Sequence, residues 1–276
     1  MDLKTLKDIP SWEWPEGAGK MFLEILRDDQ ADEDDRLIAV ELAGDFTVIN
    51  DELADALLTI MCNGDETEEM RGTAAISLGP ALDQAYIDDF EDPDDVPITE
   101  QTFRRAQETL RKLYVDSHIP KEVRRRILET SVRAPQEWHQ NAVRAAYSSG
   151  DEAWKLTAVF CMRFVRGFDD QILEALGSQN PDIHYEAVCA AGNWEVDEAW
   201  PHIAAIVTSE ESEKDLLLAA IEAAAFIRPN EASEILGDLL DSDDEDIVEA
   251  VYEAMAMAGE PWDDEDEEDE DDEFLH

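Results

Sequence analysis

The stretch RLIAVELAG, residues 36–44, returns thirty-five residues later as RGTAAISLG, residues 71–79. Both copies begin with an arginine, have an alanine three residues after it and have a glycine eight residues after it. HYEAVCAAG, residues 184–192, keeps the alanine and the glycine and has a histidine in place of the arginine. Weaker copies begin at residues 124, 155, 217 and 251, so the chain contains an internal repeat.

The repeat has the spacing of an α-helix. The first residues of the seven copies are 35, 53, 31, 29, 33 and 34 residues apart, and five of these six spacings agree. Steps of three, four and seven residues fall on one side of a helix, and alanine occupies the third step in six of the seven copies. This side is therefore predicted to pack closely against a neighbouring helix. The glycine at the eighth step is predicted to end the helix in the left-handed conformation.

A second helix is predicted after most copies. After the first copy, its apolar positions are Leu53, Leu57 and Met61, which have helical spacing. Asn180 followed by Pro181 predicts the start of a later helix, because asparagine caps helices and proline favours their first turn. No run of alternating apolar residues indicates a β-strand, so the chain is predicted to be all-helical.

A period of about 30 to 35 residues with two helices and this Arg, Ala, Ala, Gly pattern resembles the short HEAT-like repeats, the type that also occurs in bilin lyases. The resemblance covers about residues 11–260. It implies an all-α fold: an α-solenoid, or superhelix, of about seven HEAT-like antiparallel helix pairs, whose inner helices line a concave binding surface. Within it we expect N-terminal capping helices at residues 1–34 and the repeats at 35–262, with an acidic insertion loop at 83–99.

The composition is strongly acidic: 70 Asp and Glu against 21 Lys and Arg give a formal net charge of −49. Such a surface repels nucleic acids and anionic membranes and attracts basic proteins, so neither direct nucleic-acid binding nor membrane binding is expected. A solvated surface adapted to high salt, or to solubility, explains the charge equally well. The absence of a long apolar segment and the three dispersed cysteines predict a cytoplasmic protein. No oligomeric state can be predicted.

Basic residues concentrate between residues 100 and 144, where ten Lys and Arg outnumber six Asp and Glu. This segment is predicted to bind an acidic motif of a partner or the protein's own acidic tail. The alternative is that its arginines pair with acids of neighbouring repeats. The candidate protein-binding residues are Arg104, Arg105, Arg111, Lys112, Arg124, Arg125 and Arg126.

The C-terminal segment 263–276 is predicted to be a disordered acidic tail, because eleven consecutive acidic residues repel one another and bury nothing. It serves either solubility or the binding of a basic partner, with two apolar residues near its end as an anchor. The candidate residues are Asp263, Asp264, Glu265, Asp266, Glu267, Glu268, Phe274 and Leu275.

Enzymatic activity has little support in the sequence. HEAT-like hydroxylases of a modified lysine carry repeated adjacent His and Glu pairs as iron ligands, whereas this chain has only His184 and Glu186, separated by Tyr185. Bilin lyases share the repeat pattern, but no residues here specify a chromophore. We therefore expect no catalytic residue, cofactor or metal, and a protein-binding scaffold. The alternatives are a dedicated binder of basic or nucleic-acid-associated proteins, and a HEAT-like enzyme such as a bilin lyase.

Overall fold

The computed structural model describes residues 3–28, 30–90, 96–209 and 211–259. Within these residues the chain is all-helical, as predicted, with fifteen α-helices and three short 3-10 helices. The α-helices are α1 Leu3–Lys7, α2 Ala18–Arg27, α3 Glu33–Leu42, α4 Asp51–Cys62, α5 Glu68–Ile87, α6 Glu100–Val115, α7 Lys121–Ser131, α8 Glu137–Tyr147, α9 Glu152–Met162, α10 Asp169–Leu176, α11 Pro181–Asn193, α12 Trp200–Val207, α13 Lys214–Ile227, α14 Pro229–Leu236 and α15 Glu245–Gly259. None of these helices combines the length and the apolar character needed to cross a membrane.

The helices form two compact units, residues 1–165 and residues 166–276. In the first unit α2 packs on α3, α4 on α5, α6 on α7 and α8 on α9; in the second, α10 packs on α11, α12 on α13 and α14 on α15. The seven predicted helix pairs are therefore present. However, each pair joins a helix that carries the repeated sequence to the helix before it in the chain, whereas we expected the second helix of the pair to follow the copy. We call α3, α5, α7, α9, α11, α13 and α15 the frame helices.

Within each unit the frame helices stack in chain order. Helix α5 packs between α3 and α7 in the first unit, and α13 packs between α11 and α15 in the second. The side chains at the third step form the centre of this packing, because all seven are at most 1% exposed. They are Ala39, Ala74, Ile127, Ala158, Ala187, Ala220 and Ala254. The packing function predicted for the alanines is confirmed.

The glycines at the eighth step do not end their helices in the left-handed conformation, so that prediction was wrong. Gly79 and Gly192 lie inside helices, and neither they nor Gly44 have a positive φ. Instead, the glycines allow close contact with the next frame helix. A Cβ atom added to Gly44 would lie 1.9 Å from the carbonyl oxygen of Ser77, and one added to Gly192 would lie 2.9 Å from Cα of Ala223. Ser77 and Ala223 each occupy the sixth step of the following copy.

The basic residue at the start of a copy lies near the end of the preceding helix. Arg71 donates a hydrogen bond from Nε to the carbonyl oxygen of Met61, in the last turn of α4, at 2.9 Å. The Lys155 ammonium lies 4.7 Å from the ring centroid of Tyr147, the last residue of α8. A cation at this place offsets the partial negative charge of the helix C-terminus, which explains the preference for a basic residue.

The acidic loop is shorter than predicted, because α5 continues to Ile87 and makes residues 83–87 helical. Residues 91–95 lie outside the described part of the chain. The end of the loop is attached to α4, since the backbone N–H and the hydroxyl of Thr99 donate hydrogen bonds to the two carboxylate oxygens of Asp51 at 2.8 and 2.9 Å. These bonds lower the pKa of Asp51, although burial opposes them.

Candidate functional site

The four candidate basic residues of α6 are all exposed. Two of them pair with acids one turn earlier on the same helix: Arg104 with Glu100, and Lys112 with Glu108 at 3.5 Å. The side chain of Arg105 pairs with Asp55 on α4. Exposed pairs of this kind add little stability, but they place a carboxylate beside each cation. The fourth candidate on α6 is Arg111, which is also exposed.

Arg125 on α7 is buried in a polar network that joins α7 to α9. Its Nε donates to the hydroxyl of Thr157 at 2.9 Å, and that hydroxyl donates to Glu129 at 2.6 Å. The carboxylate of Glu129 also accepts a hydrogen bond from Arg126 at 2.7 Å. Arg125, Glu129 and Thr157 are all less than a tenth exposed, so the network lies inside the contact between two frame helices. Arg125 therefore holds the repeats together.

Arg124 contacts aromatic rings. Its guanidinium carbon lies 5.8 Å from the ring centroid of Tyr114 and 5.6 Å from that of Trp154, which links α6, α7 and α9 through cation–π contacts. Burial raises the pKa of Tyr114, and the positive charge of Arg124 opposes this shift. Five of the seven candidates, Arg104, Arg105, Lys112, Arg125 and Arg126, are thus ion-paired within the fold, and Arg124 is stacked.

A surface that the sequence analysis missed runs across α5, α7 and α9. Arg133, just after α7, places its guanidinium carbon 5.9 and 5.3 Å from the ring centroids of Phe160 and Phe164. The two rings are 5.5 Å apart and half-buried. On α5, the side chain of Ile76 is 41% exposed. We call Ile76, Arg126, Arg133, Phe160 and Phe164 the frame-helix face.

Glycines on α5 make room for the arginines of this face. A Cβ atom on Gly72 would lie 3.3 Å from Cγ of Arg126, and one on Gly79 would lie 3.0 Å from Cδ of Arg133. Ile76 lies one turn from each glycine. The arginine stems therefore lie across α5 beside an exposed isoleucine, while Arg133 pairs with Asp83 at 3.6 Å. The arrangement offers apolar surface with guanidinium groups at its side, which suits contact with a protein segment.

The repeat register contains a signal for this face. Its residues stand at the second, fifth and ninth steps of their copies, which share one side of a frame helix next to the packing side. Sequence reasoning used the third, sixth, seventh and eighth steps and did not follow the remaining ones. The concentration of positive charge pointed instead to residues on α6 and α7, and Arg126 is the one predicted candidate that belongs to this face.

A cleft of about 300 Å³ lies at α2, α3 and α4 in the first unit. Its polar lining includes Arg36, which pairs with Glu66 at 2.6 Å, and Asp55, which pairs with Arg105. Charged groups that line the cleft are therefore also used in ion pairs within the fold.

No group of three or more potential metal ligands occurs among the residues that the structure describes. His184 and His202 form a pair in the second unit, with their Nε2 atoms 2.7 Å apart. Burial lowers the pKa of both imidazoles, and the neighbouring ring of His202 lowers that of His184 further. The acidic-tail candidates, residues 263–268, Phe274 and Leu275, lie outside the described residues.

Comparison with known proteins supports the repeat. Residues 170–256 match the family model for HEAT repeats. No curated protein sequence matches the chain. Similar solved structures include YibA of Escherichia coli, at 15% identity and a TM-score of 0.45, with 92% of this chain and 90% of that chain covered. Human deoxyhypusine hydroxylase, solved with glycerol, has 16% identity, a TM-score of 0.40 and coverages of 93% and 88%. Likenesses this distant do not transfer an activity.

Proposed function

We propose that the chain, of which residues 170–256 match the HEAT-repeat family model, is a non-enzymatic scaffold that binds a protein or peptide on the frame-helix face of its first unit. The observation that supports this most directly is the composition of that face. It combines the exposed Ile76 with two phenylalanine rings and two arginines, and aromatic residues and arginine are enriched in protein interfaces.

The chemistry of the face favours one kind of ligand. Ile76, Phe160 and Phe164 suit apolar side chains. Arg126 and Arg133 already pair with Glu129 and Asp83, but a guanidinium has five N–H donors and can also bind a carboxylate of the ligand. A helical or extended segment with apolar residues and an occasional acid fits both requirements. The net charge of −49 excludes strongly acidic partners, so the carboxylate must stand in a neutral or basic segment.

The close approach of neighbouring frame helices supports placing the binding site on these helices. Contacts such as that of Gly44 with Ser77 bring neighbouring frame helices nearer than bulky side chains would allow. In the repeat class that the chain resembles, the binding surface is the concave one, where helices lie closest together. We therefore assign the binding role to the frame helices rather than to α6.

The test compares two substitutions of exposed aliphatic residues. Ile76→Asp on α5 should remove bound proteins recovered from a lysate by the purified chain, because a carboxylate buried in an apolar contact costs at least about 1.4 kcal/mol, or tenfold in affinity. Val115→Asp on α6 introduces the same charge at a residue that is 69% exposed, and it should leave binding unchanged. Circular dichroism checks that both variants fold. Equal recovery by both variants would contradict the assignment.

The enzyme alternative has a separate test. A HEAT-like enzyme such as a bilin lyase or a hydroxylase would carry a chromophore or a metal, so elemental analysis and an absorption spectrum of the purified chain distinguish it from a scaffold. A stoichiometric metal, or absorption beyond that of the tryptophans and tyrosines, would favour the enzyme.

A further inference from the structure

The last described helix, α15, presents an apolar side that earlier frame helices bury. The fourth step of the six earlier copies is fully buried in every case: Val40, Ala75, Leu128, Val159, Val188 and Ile221. In α15 the same step is Met255, which is only half-buried. At the first step of this copy, Tyr252 is 62% exposed. Helix α15 packs on α13 and α14, and no later helix covers it within the described residues.

These residues form a continuous stripe on α15. Val248, Tyr252 and Met255 follow one another at steps of four and three, which places them on one side of the helix. Gly259 continues the same spacing at the eighth step of the copy. We call Val248, Tyr252 and Met255 the terminal stripe. It has the register with which a frame helix meets its successor.

The earlier copies indicate the shape of a helix that fits this stripe. Two glycines at the eighth step meet a small residue at the sixth step of the next copy, since Gly44 meets Ser77 and Gly192 meets Ala223, whereas Gly79 meets the side chain of Arg133. A helix placed on α15 in the same way needs an apolar side with a small residue on it. Amphipathic helices commonly bind proteins in this manner.

The charges beside the stripe indicate the electrostatic character of that helix. Glu245 and Glu249 lie seven and three residues before Tyr252, and both are exposed, as is Glu253. The 3-10 helix Gly237–Asp241, which packs on α15, contributes the exposed Asp238 and Asp241. Residues 263–273, which follow in the sequence, are all acidic. Lysines and arginines on the flanks of the incoming helix would meet these carboxylates.

We propose that the terminal stripe binds a basic amphipathic helix of a partner protein, which packs on α15 as an additional frame helix would. The surface belongs to the second unit and is separate from the frame-helix face, so this proposal goes beyond the proposed function and can fail independently of it. The repeat register specifies the apolar side of the ligand, and the acidic flanks specify its charge.

The test uses the full chain and a fluorescein-labelled 18-residue peptide of leucine, alanine and lysine, with leucines at helical spacing and an alanine at the centre of the apolar side. Fluorescence anisotropy at about 150 mM salt limits unspecific attraction between exposed charges. Tyr252→Ala should weaken binding about tenfold or more, because tyrosines at the centre of interfaces contribute strongly. This substitution leaves the net charge unchanged, and its exposed position predicts an unchanged melting temperature.

Phe226→Ala is the matched control, because Phe226 is an exposed aromatic residue of the same unit, on α13. It should bind the peptide like the unsubstituted chain. Equal affinity of the Tyr252→Ala variant and the unsubstituted chain would overturn the proposal and assign the binding to bulk charge.

Two other occupants give distinct results that also overturn the proposal. If a second copy covers the stripe, sedimentation will show a dimer that Tyr252→Ala dissociates. If the protein's own C-terminal segment covers it, deletion of residues 260–276 will lower the melting temperature, and Tyr252→Ala will lower it by a similar amount. A monomer whose melting temperature neither change alters, and whose peptide affinity depends on Tyr252, supports the proposal.

Discussion

His139 is a buried histidine that organises the start of α8. Its Nδ1 accepts a hydrogen bond from the backbone N–H of Gln136 at 2.8 Å, and its Nε2 lies 3.0 Å from the hydroxyl of Ser131. Because Nδ1 accepts, the neutral ring carries its proton on Nε2 and donates to Ser131, which in turn donates to the carbonyl oxygen of Leu128 at 3.2 Å. Burial lowers the pKa of His139 from 6.5 to about 4.

The lowered pKa predicts a loss of stability in mild acid. Between pH 6.5 and about 4 the unfolded chain binds a proton at His139 that the folded chain excludes, so the free energy of unfolding falls as the pH decreases through this range. The difference between the two pKa values corresponds to about 3 kcal/mol. Urea unfolding at pH 7 and pH 4.5 should show a smaller loss for His139→Gln than for the unsubstituted chain.

A loss in the His139→Gln variant equal to that of the unsubstituted chain would show that other groups cause the acid sensitivity. Because the comparison is between variants, the contribution of the many carboxylates that also titrate in this range is the same in each and cancels.

Single residues differed in how far the sequence could predict them. The cap at Asn180 was predicted and is confirmed, since its side chain accepts hydrogen bonds from the backbone N–H groups of Asp182 and Ile183 at 3.0 and 3.3 Å. A cap involves neighbours two and three residues away, so local sequence is enough. His139 is held partly by Ser131, eight residues earlier, across the turn between α7 and α8. Helical periodicity carries no signal for such a contact.

At the level of helices, the sequence predicted where the glycines of the repeat stand but not why a glycine is needed there. The sequence correctly placed Gly44 and Gly192 at a special position of the repeat. Either a left-handed backbone or a close contact explains a glycine, and only the position of the next helix distinguishes them. Contact with Ser77 and Ala223 shows that the second explanation is correct.

Gly44→Ala should therefore destabilise the packing of α3 on α5. The added Cβ would lie 1.9 Å from the carbonyl oxygen of Ser77, so the backbone of one helix must move, which typically costs about 1–3 kcal/mol for an overpacked site. Urea denaturation measures the change. Gly64→Ala is the control, because a Cβ there meets no atom within 4 Å and Gly64 does not have a positive φ. Equal stability of the two variants would show that α3 and α5 can separate without cost.

The network of Arg125, Glu129 and Thr157 shows what helix patterns cannot predict. Arginine and glutamate four residues apart on α7 indicate an exposed ion pair, yet both are buried because α9 covers them and supplies the hydroxyl of Thr157. Thr157 is thirty-two residues from Arg125, so the contact depends on how the repeats stack. For the same reason, the sequence could locate the basic residues of 100–144 but not their partners.

At the level of the whole molecule, net charge and ion pairing oppose each other. Pairs such as Arg36 with Glu66, and Lys214 with Asp244, join a cation on one helix to an acid just before the start of a later helix. The formal net charge nevertheless remains −49, so folding brings uncompensated negative charges close to one another. Composition alone predicted this excess of negative charge, whereas the structure was needed to identify the ion pairs. The excess repulsion favours unfolding and is screened by salt.

Salt should therefore stabilise the protein, and the acidic C-terminal segment should increase this effect. Replacing the eleven acids of residues 263–273 by their amides keeps the length of the chain and changes the net charge from −49 to −38. Because the Coulomb energy between like charges rises with the square of the charge, the repulsive contribution should fall to roughly three fifths. Urea unfolding of both chains from low salt to about 1 M KCl measures the two slopes. If the stability of the acidic chain instead decreases with salt, the ion pairs between helices outweigh the net repulsion, and the acidity does not limit folding.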